Sequence, residues 1–277
     1  MKIGFHLSIK GGIENVPVKA NKLGYTTFQF FTRSSRSWNY KLIEKIQIKN
    51  FKKNCNIFNF DTKVIHLPYL PNFATSDTII RNKSIASLVE EVSRADLLDV
   101  NFLVIHIGSH KGEGLTSGIK NVIDAVNFAL NENNRVKILL ETSAGYKNSV
   151  GSKFEELMQI IDKIEIPKRV GVCFDTCHVF AANYDLRNKT SVETVIETFK
   201  ENVGLNYLSL IHLNDSKSKL GGGLDRHHHI GKGEIGIEAF KSLLNHPDLK
   251  NIPKILETPN QPDYGDIDNL RLVKSLI

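Results

Sequence analysis

A TIM-type (β/α)8 barrel, an α/β fold with its active site at the C-terminal ends of the strands, is the fold class this sequence predicts. Three observations carry it. Short apolar runs alternate with stretches of helical periodicity eight times within 277 residues, the number of units a closed barrel needs. The runs are almost continuously apolar, as suits parallel strands covered by helices. Acidic and imidazole residues also recur where the runs end: VIH at Val64 to His66, FLVIH at Phe102 to His106, ILLE at Ile138 to Glu141, VCFDTCH at Val172 to His178, LSLIH at Leu208 to His212 and KILE at Lys254 to Glu257. An open doubly wound sheet would concentrate its ligands at one crevice and has no need for eight units.

In chain order, the first strand is expected at Ile3 to Leu7 and its helix at Ile13 to Leu23, with Gly24 marking the return. Thr26 to Phe30 follows, then a helix over Leu42 to Asn54. Lys63 to His66 leads into the longest helix, Ile79 to Leu98, where Ile85, Leu88, Val89, Val92, Leu97 and Leu98 return at helical intervals as one apolar face. Phe102 to His106 pairs with a helix at Gly118 to Asn131, and Lys137 to Glu141 with one at Lys153 to Ile161. Pro167 punctuates the return to Val170 to Asp175, which is followed by a helix at Val192 to Glu201. Gly204 precedes the strand Tyr207 to His212, whose helix is delayed to Ile237 to Leu244; Pro253 to Glu257 and Leu270 to Leu276 complete the eight units. One domain spanning 1–277 is expected.

The delay is informative. HLNDSKSKLGGGLDRHHHIGKGEIG, from His212 to Gly236, is a long polar, glycine-rich excursion that concentrates Asp225, His227, His228 and His229. Segments of that length inside compact domains tend to be functional.

Composition sets the remaining bounds. With 41% hydrophobic residues the chain can bury a large core without a partner, so a monomer is expected. Three cysteines, a start (MKIGFHLS) unlike a signal peptide and the lack of an 18-residue apolar stretch point to an intracellular, non-membrane protein. That means the cytoplasm and nucleoid of a prokaryote, or the nucleus or an organelle of a eukaryote. The formal charge of +6 favours an anionic partner only weakly. Cys173 and Cys177 have a spacing that a zinc pair could use, but buried thiols are the better reading.

Imidazole nitrogen and carboxylate oxygen suit zinc, and a carboxylate can bridge two ions. Taken singly, His66 or His106 would more often be a hydrogen-bonded rim residue. Buried acids such as Glu141, Asp175 and Glu257 are costly unless paired or bound to metal, and six such strand ends converging in one barrel imply a shared metal site. Asp175-x2-His178 and Asp225-x-His227 could hold a further ion at the mouth. His228 and His229 are open between supporting the ligands, contacting phosphate and facing solvent.

The motifs HLPY at His66 to Tyr69, HIGSH at His106 to His110, LLETSAG at Leu139 to Gly145, CFDTCHVFAANYD at Cys173 to Asp185, HLNDSK at His212 to Lys217, DRHHHIGKGEIG at Asp225 to Gly236 and ILETP at Ile255 to Pro259 resemble those of the endonuclease IV family of apurinic/apyrimidinic endonucleases. They stand in family order over essentially the whole chain. The resemblance implies a zinc-dependent barrel with three zinc ions, manganese or iron being alternatives at one position. His66 and His106 match ligands of the first ion, and Glu141 the bridge to the second. Asp175, His212 and Glu257 match the rest of the second site; His178, Asp225 and His227 match the third.

It further implies hydrolysis of DNA on the 5′ side of an abasic site, leaving 3′-hydroxyl and 5′-deoxyribose phosphate ends, together with clearing of blocked 3′ ends, in base excision repair. A water activated between the first two ions attacks phosphorus in line, with Glu257 helping to position or deprotonate it, so Glu141 and Glu257 are the expected catalytic groups. Arg36, in the loop TRSSRSW from Thr32 to Trp38, and Tyr69 with Leu70 match positions that enter the minor groove of double-stranded DNA and fill the gap left by the extruded nucleotide. Arg33, Lys217 and Lys232 are further candidates for phosphate contacts. Tyr146, Lys147, Lys232 and Glu234 depart from the family pattern, which bears on substrate fit and loop shape.

Two other classes compete. A sugar isomerase or epimerase on a related barrel would also place His, Glu and Asp at strand ends, but leaves Asp225-x-His227 and the groove-directed loop unexplained. A non-catalytic zinc or DNA-binding protein would need closed or idle metal positions. A single nick in a duplex carrying an abasic analogue, against turnover of a ketose, separates them.

Overall fold

The computed structural model describes residues 1–131, 134–261 and 263–277. Eight parallel strands close on themselves: β1 (Ile3–Leu7), β2 (Phe28–Phe30), β3 (Lys63–His66), β4 (Phe102–Ile105), β5 (Lys137–Glu141), β6 (Val170–Asp175), β7 (Leu208–His212) and, after the two short strands β8 (Asp215–Ser216) and β9 (His227–His228), β10 (Lys254–Leu256). Their order around the barrel is β1-β10-β7-β6-β5-β4-β3-β2, so each pairs with its neighbours in sequence and β10 seals the ring against β1. The barrel expected from the sequence is therefore present. Among the described residues no helix is long and apolar enough to cross a membrane.

Helices α1 (Val16–Lys22), α2 (Lys45–Ile57), α3 (Thr78–Leu98), α4 (Leu115–Ala129), α5 (Phe154–Ile161), α6 (Thr176–Ala181), α7 (Lys189–Asn202), α8 (Ile237–Asn245) and α9 (Asp266–Ser275) connect the strands. Local chemistry explains where several begin. Glu44 and Gln47 form a reciprocal capping box, which starts α2 three residues later than the apolar pattern at Leu42 suggests. Asp77 accepts from the backbone N–H groups of Ile79 and Ile80 and starts α3.

Three features depart from the sequence reading. Helix α6 follows β6 without a loop, and the long excursion after β7 contains a small antiparallel pair, β8 with β9. On α3, Val89 and Leu97 are exposed. The buried face instead includes Ser84, Ser87, Glu91 and Arg94 beside Leu88, Val92, Ala95 and Leu98. Ser87, Glu91 and Arg94 of that stripe have partners in the loop after β2.

Side chains of a strand alternate between its two faces. Outward ones such as Phe5, Ile65, Ile105, Leu140, Phe174 and Ile211 join the main core beneath the helices. Val64, Val104, Leu139, Cys173, Leu210 and Ile255 form a separate buried cluster with one member from each of six strands, which is the packed barrel interior.

Lys254 is fully buried at the start of β10, its ammonium donating to the carbonyls of Leu249 and Ile252. Burial pushes its pKa down to about 8. Between that value and the ordinary lysine value the unfolded chain binds more protons than the folded one, so this group's cost falls as pH rises through the window. Denaturant midpoints of the wild-type and Lys254→Met chains should therefore converge, or shift in favour of wild type, on going from pH 7 to pH 10. The Lys254-dependent part is on the order of 3 kcal/mol across the full shift.

Candidate metal centre

Six candidate ligands owe their position to strand alternation alone. Each stands two residues beyond a member of the interior cluster: His66 beyond Val64, His106 beyond Val104, Glu141 beyond Leu139, Asp175 beyond Cys173, His212 beyond Leu210 and Glu257 beyond Ile255. A residue two further along a strand faces the same side, so these six form the next layer up at the C-terminal mouth. Of the other three, His178 comes from α6, where Asp175 acts as N-cap and accepts from the His178 N–H at 3.0 Å. His227 is carried by β9, paired with Ser216 of β8, and Asp225 lies just ahead of it.

The nine side chains meet in three overlapping groups. His66 Nε2 and His106 Nδ1 lie 3.2 and 3.4 Å from Glu141 Oε2. His212 Nδ1 lies 2.8 Å from Glu141 Oε1, 3.2 Å from Glu257 Oε2 and 3.7 Å from Asp175 Oδ2. The Nε2 atoms of His178 and His227 lie 3.2 and 3.3 Å from Asp225 Oδ1, and that of His227 also lies 3.5 Å from Asp175 Oδ2. Glu141 thus touches the first two groups through different oxygens.

Where the protons sit decides what this arrangement can do. His66 Nδ1 donates to the Leu67 carbonyl at 2.7 Å, His178 Nδ1 to the Thr142 carbonyl at 2.8 Å and His227 Nδ1 to the Glu257 carbonyl at 3.2 Å. Carbonyl oxygens only accept, so each of these nitrogens carries its hydrogen, and the opposite nitrogen of a neutral ring is a bare lone pair. All three lone pairs face carboxylate oxygens. Lone pairs that close repel unless a proton or a cation lies between them. The Nε2 atoms of His178 and His227 are buried with no hydrogen-bond partner among the described residues. This donor set fits a cation with nitrogen and oxygen ligands.

The charges agree. Burial alone would raise the Glu141 and Glu257 carboxyls, yet the imidazoles around them, His106 and His212 for Glu141 and His212 for Glu257, hold both well below the usual range. Burial would lower His178, but Asp175 and Asp225 drive it well above its ordinary value, so without a cation the ring holds a proton on Nε2 as well, and a bound cation would take that proton's place. Cys173 and Cys177 also lie within ligand distance of members of the site. Burial pushes both thiols up to about 12, which leaves them protonated and favours the buried-thiol reading.

Several supporting groups escaped the sequence reading. Asn214 is fully buried; its amide donates to Asp175 Oδ2 at 2.8 Å and its oxygen accepts from the Glu257 N–H at 2.8 Å. Thr142 accepts from the Asp175 N–H through its hydroxyl. His6 and Gln29 occupy the same layer on β1 and β2, where they are register partners. The available signal was a glutamine inside the aromatic run Phe28 to Phe31.

Beside the centre opens a cleft of about 580 Å³, lined in part by His106, His178, Asp225, Tyr69, Leu70 and Tyr146. Tyr69 is 60% exposed although its ring packs against those of Phe31, His66 and His106, so it stands at the rim as an accessible aromatic face. Arg36 is exposed on the adjacent loop, outside the lining of the cleft. His228 and His229 lie apart from the nine: His229 is buried against Tyr264 and Asn269, and His228 accepts from the His229 N–H.

Arg33 corrects an expectation. It is buried, with its Nε 2.9 Å from Glu91 Oε1, and it donates to Ser87 Oγ and to the Trp38 carbonyl. Thr32 donates to Glu91 Oε2 at 2.6 Å, Arg94 donates to the carbonyls of Thr32 and Lys41, and both guanidinium groups lie over the Tyr40 ring. Arg33 therefore clamps the loop to α3 and is not free to meet phosphate. Lys217 and Lys232 are exposed, the latter with its ammonium 3.2 Å from the Tyr264 ring centroid.

The chain matches the family described as xylose isomerase-like TIM barrel over residues 17–276. It is 41% identical over 276 residues to the probable endonuclease 4 of Methanoculleus marisnigri, covering 99% of this chain and 98% of that protein. It is 43% identical over 277 residues to the probable endonuclease 4 of Nitrosopumilus maritimus, covering 99% of each. Among solved structures, endonuclease IV from Thermus thermophilus superposes with a TM-score of 0.89 at 33% identity, covering 100% of this chain and 98% of that one. A D-tagatose 3-epimerase-like protein shares the fold at a TM-score of 0.73 and 21% identity. The chain belongs to the xylose isomerase-like TIM barrels and, within them, to the endonuclease IV family.

Proposed function

We propose that this chain is a zinc-dependent endonuclease that cuts the DNA phosphodiester bond 5′ to an abasic site, leaving 3′-hydroxyl and 5′-deoxyribose phosphate ends, and that also clears blocked 3′ ends. The carrying observation is the set of imidazoles held through one nitrogen by backbone carbonyls with the other nitrogen facing carboxylate oxygens, an arrangement that a cation can occupy in place of the protons. His66, His106 and Glu141 would hold one ion; Glu141, Asp175, His212 and Glu257 a second; and His178, Asp225 and His227 a third. When bound, such ions supply charge neutralisation at the phosphoryl oxygens and activation of a water.

The chain's own groups provide the rest. The Glu257 carboxylate would orient an attacking water, and its position at the lip of the barrel supports that role. Tyr69 and Leu70 offer an aromatic and an aliphatic surface beside the nine, suited to the space an abasic nucleotide leaves. Extrusion there breaks no base pair, which favours that lesion. Arg36 would meet the groove; its exposure and the clamp behind it support that reading. The epimerase-like neighbours share the barrel, but the third group of ligands and the exposed rim of Tyr69 and Leu70 favour a polymeric substrate over a small enclosed sugar.

A duplex carrying one tetrahydrofuran abasic analogue should receive a single hydrolytic nick on its 5′ side; an intact duplex after prolonged incubation with zinc-loaded protein would sink the proposal. Metal analysis of the native protein should give about three zinc ions per chain, and activity lost to a chelator should return with zinc. Tyr69→Ala removes a stacking surface worth about 1–3 kcal/mol, so kcat/KM on the abasic duplex should fall by roughly 5- to 150-fold with the metal content unchanged. Arg36→Ala should lower the slope of log affinity against log salt by about one unit if it contacts a phosphate; an unchanged slope would remove it from the interface.

A further inference from the structure

Gln29 is fully buried at the centre of β2, and both its amide hydrogens and its amide oxygen have partners. The amide nitrogen lies 2.7 Å from Glu257 Oε1 and 3.0 Å from His6 Nδ1, and the amide oxygen 2.9 Å from His212 Nε2. The orientation is forced. A flipped amide would set its oxygen against the Glu257 carboxylate, acceptor against acceptor at hydrogen-bond distance. With the nitrogen on Glu257, the oxygen must receive a hydrogen from His212 Nε2. A neutral His212 then has its lone pair on Nδ1, the atom that faces Glu141, Glu257 and Asp175.

We infer that Gln29 is a positioning residue of the metal centre: one neutral carboxamide orients Glu257 through an N–H and fixes His212 with Nδ1 presented to the second cation. The assignment rests on the three-zinc reading above and extends it to a residue outside the nine. No charged side chain could do both tasks. A carboxylate at position 29 would accept from His212 but repel Glu257, and an ammonium would attract Glu257 but give His212 no acceptor. The second N–H ends on His6, which is packed on Phe31 at a 4.2 Å ring separation. The amide is therefore held from three sides and cannot rotate to release either ligand. Supports of this kind commonly change metal affinity or activity by about 10- to 100-fold when removed.

The test compares wild-type protein with Gln29→Met, which keeps the length and removes the polar atoms. Zinc retained against a graded chelator should fall from three ions to two in the variant, with one site weakened by about 10- to 100-fold. The visible spectrum of the cobalt-substituted form should change, while KM for the tetrahydrofuran duplex stays near wild type and kcat drops. Unaltered chelator resistance together with an unaltered cobalt spectrum would overturn the assignment. If Gln29→Met does not fold, as judged by melting of the metal-free protein, Gln29→Glu decides. It should weaken one zinc and lose kcat, because Glu257, a ligand of the second ion, is repelled although His212 retains its acceptor; wild-type zinc retention with wild-type kcat in that variant overturns the assignment. A wild-type chain that binds no zinc would sink the metal reading itself, whereas three ions in wild type and an indistinguishable Gln29→Met would sink only the role of Gln29.

Discussion

Two-residue alternation along parallel strands, closed into a ring, is the constraint on which the rest of this molecule depends. Because Val64, Val104, Leu139, Cys173, Leu210 and Ile255 fill the interior, the residue two places on from each must face the same axis, one layer nearer the mouth. A slip of one residue in any strand would send its imidazole or carboxylate into the helical layer and bring an apolar side chain to the axis. The apolar layer thus sets the register that assembles the polar one. It also walls the centre off from below, so that its open side is the mouth.

The polar layer is stable only as a set. A buried carboxylate is expensive by itself, and so is a buried imidazolium. Here they interleave: Glu141 lies within 3.4 Å of His66, His106 and His212, while backbone carbonyls hold the far side of three rings. Those carbonyl bonds fix ring orientation independently of whatever the inward nitrogens meet. Pre-set rings of this kind are what a cation site requires, since ligands that had to turn inward on binding would lose orientational freedom in doing so.

Much of this was legible in the sequence because it depends on period and position. The ends of β1, β3, β5 and β6 fall where the apolar runs end, and the six acidic or imidazole endings mark the inner layer directly. What escaped has a physical reason in each case. Helix α6 continues the apolar run of β6, so Thr176 to Ala181 carries no separate periodic signal, and strands of two residues, as in β8 and β9, have no period at all. Gln29 and His6 belong to the inner layer but lack the carboxylate-or-imidazole ending after an apolar run by which the others stand out; Gln29 is neutral, and His6 lies inside IGFHL. Arg33 was misread because an arginine in a polar loop looks solvated, whereas its partner Glu91 belongs to a buried face of α3 that the apolar periodicity does not mark.

That clamp carries a consequence for the loop from Thr32 to Lys41. Loops that reach toward another molecule ordinarily surrender their conformational freedom at the moment of contact, and the encounter is weaker for it. Here Glu91, Arg94, Ser87 and Tyr40 already confine the chain behind Arg36, so most of that loss falls at folding. Under the proposed role of Arg36, recognition through such a loop would resemble the fitting of a fixed tooth rather than the winding of a thread: it would favour targets whose contour already matches and gain little from those that must be moulded.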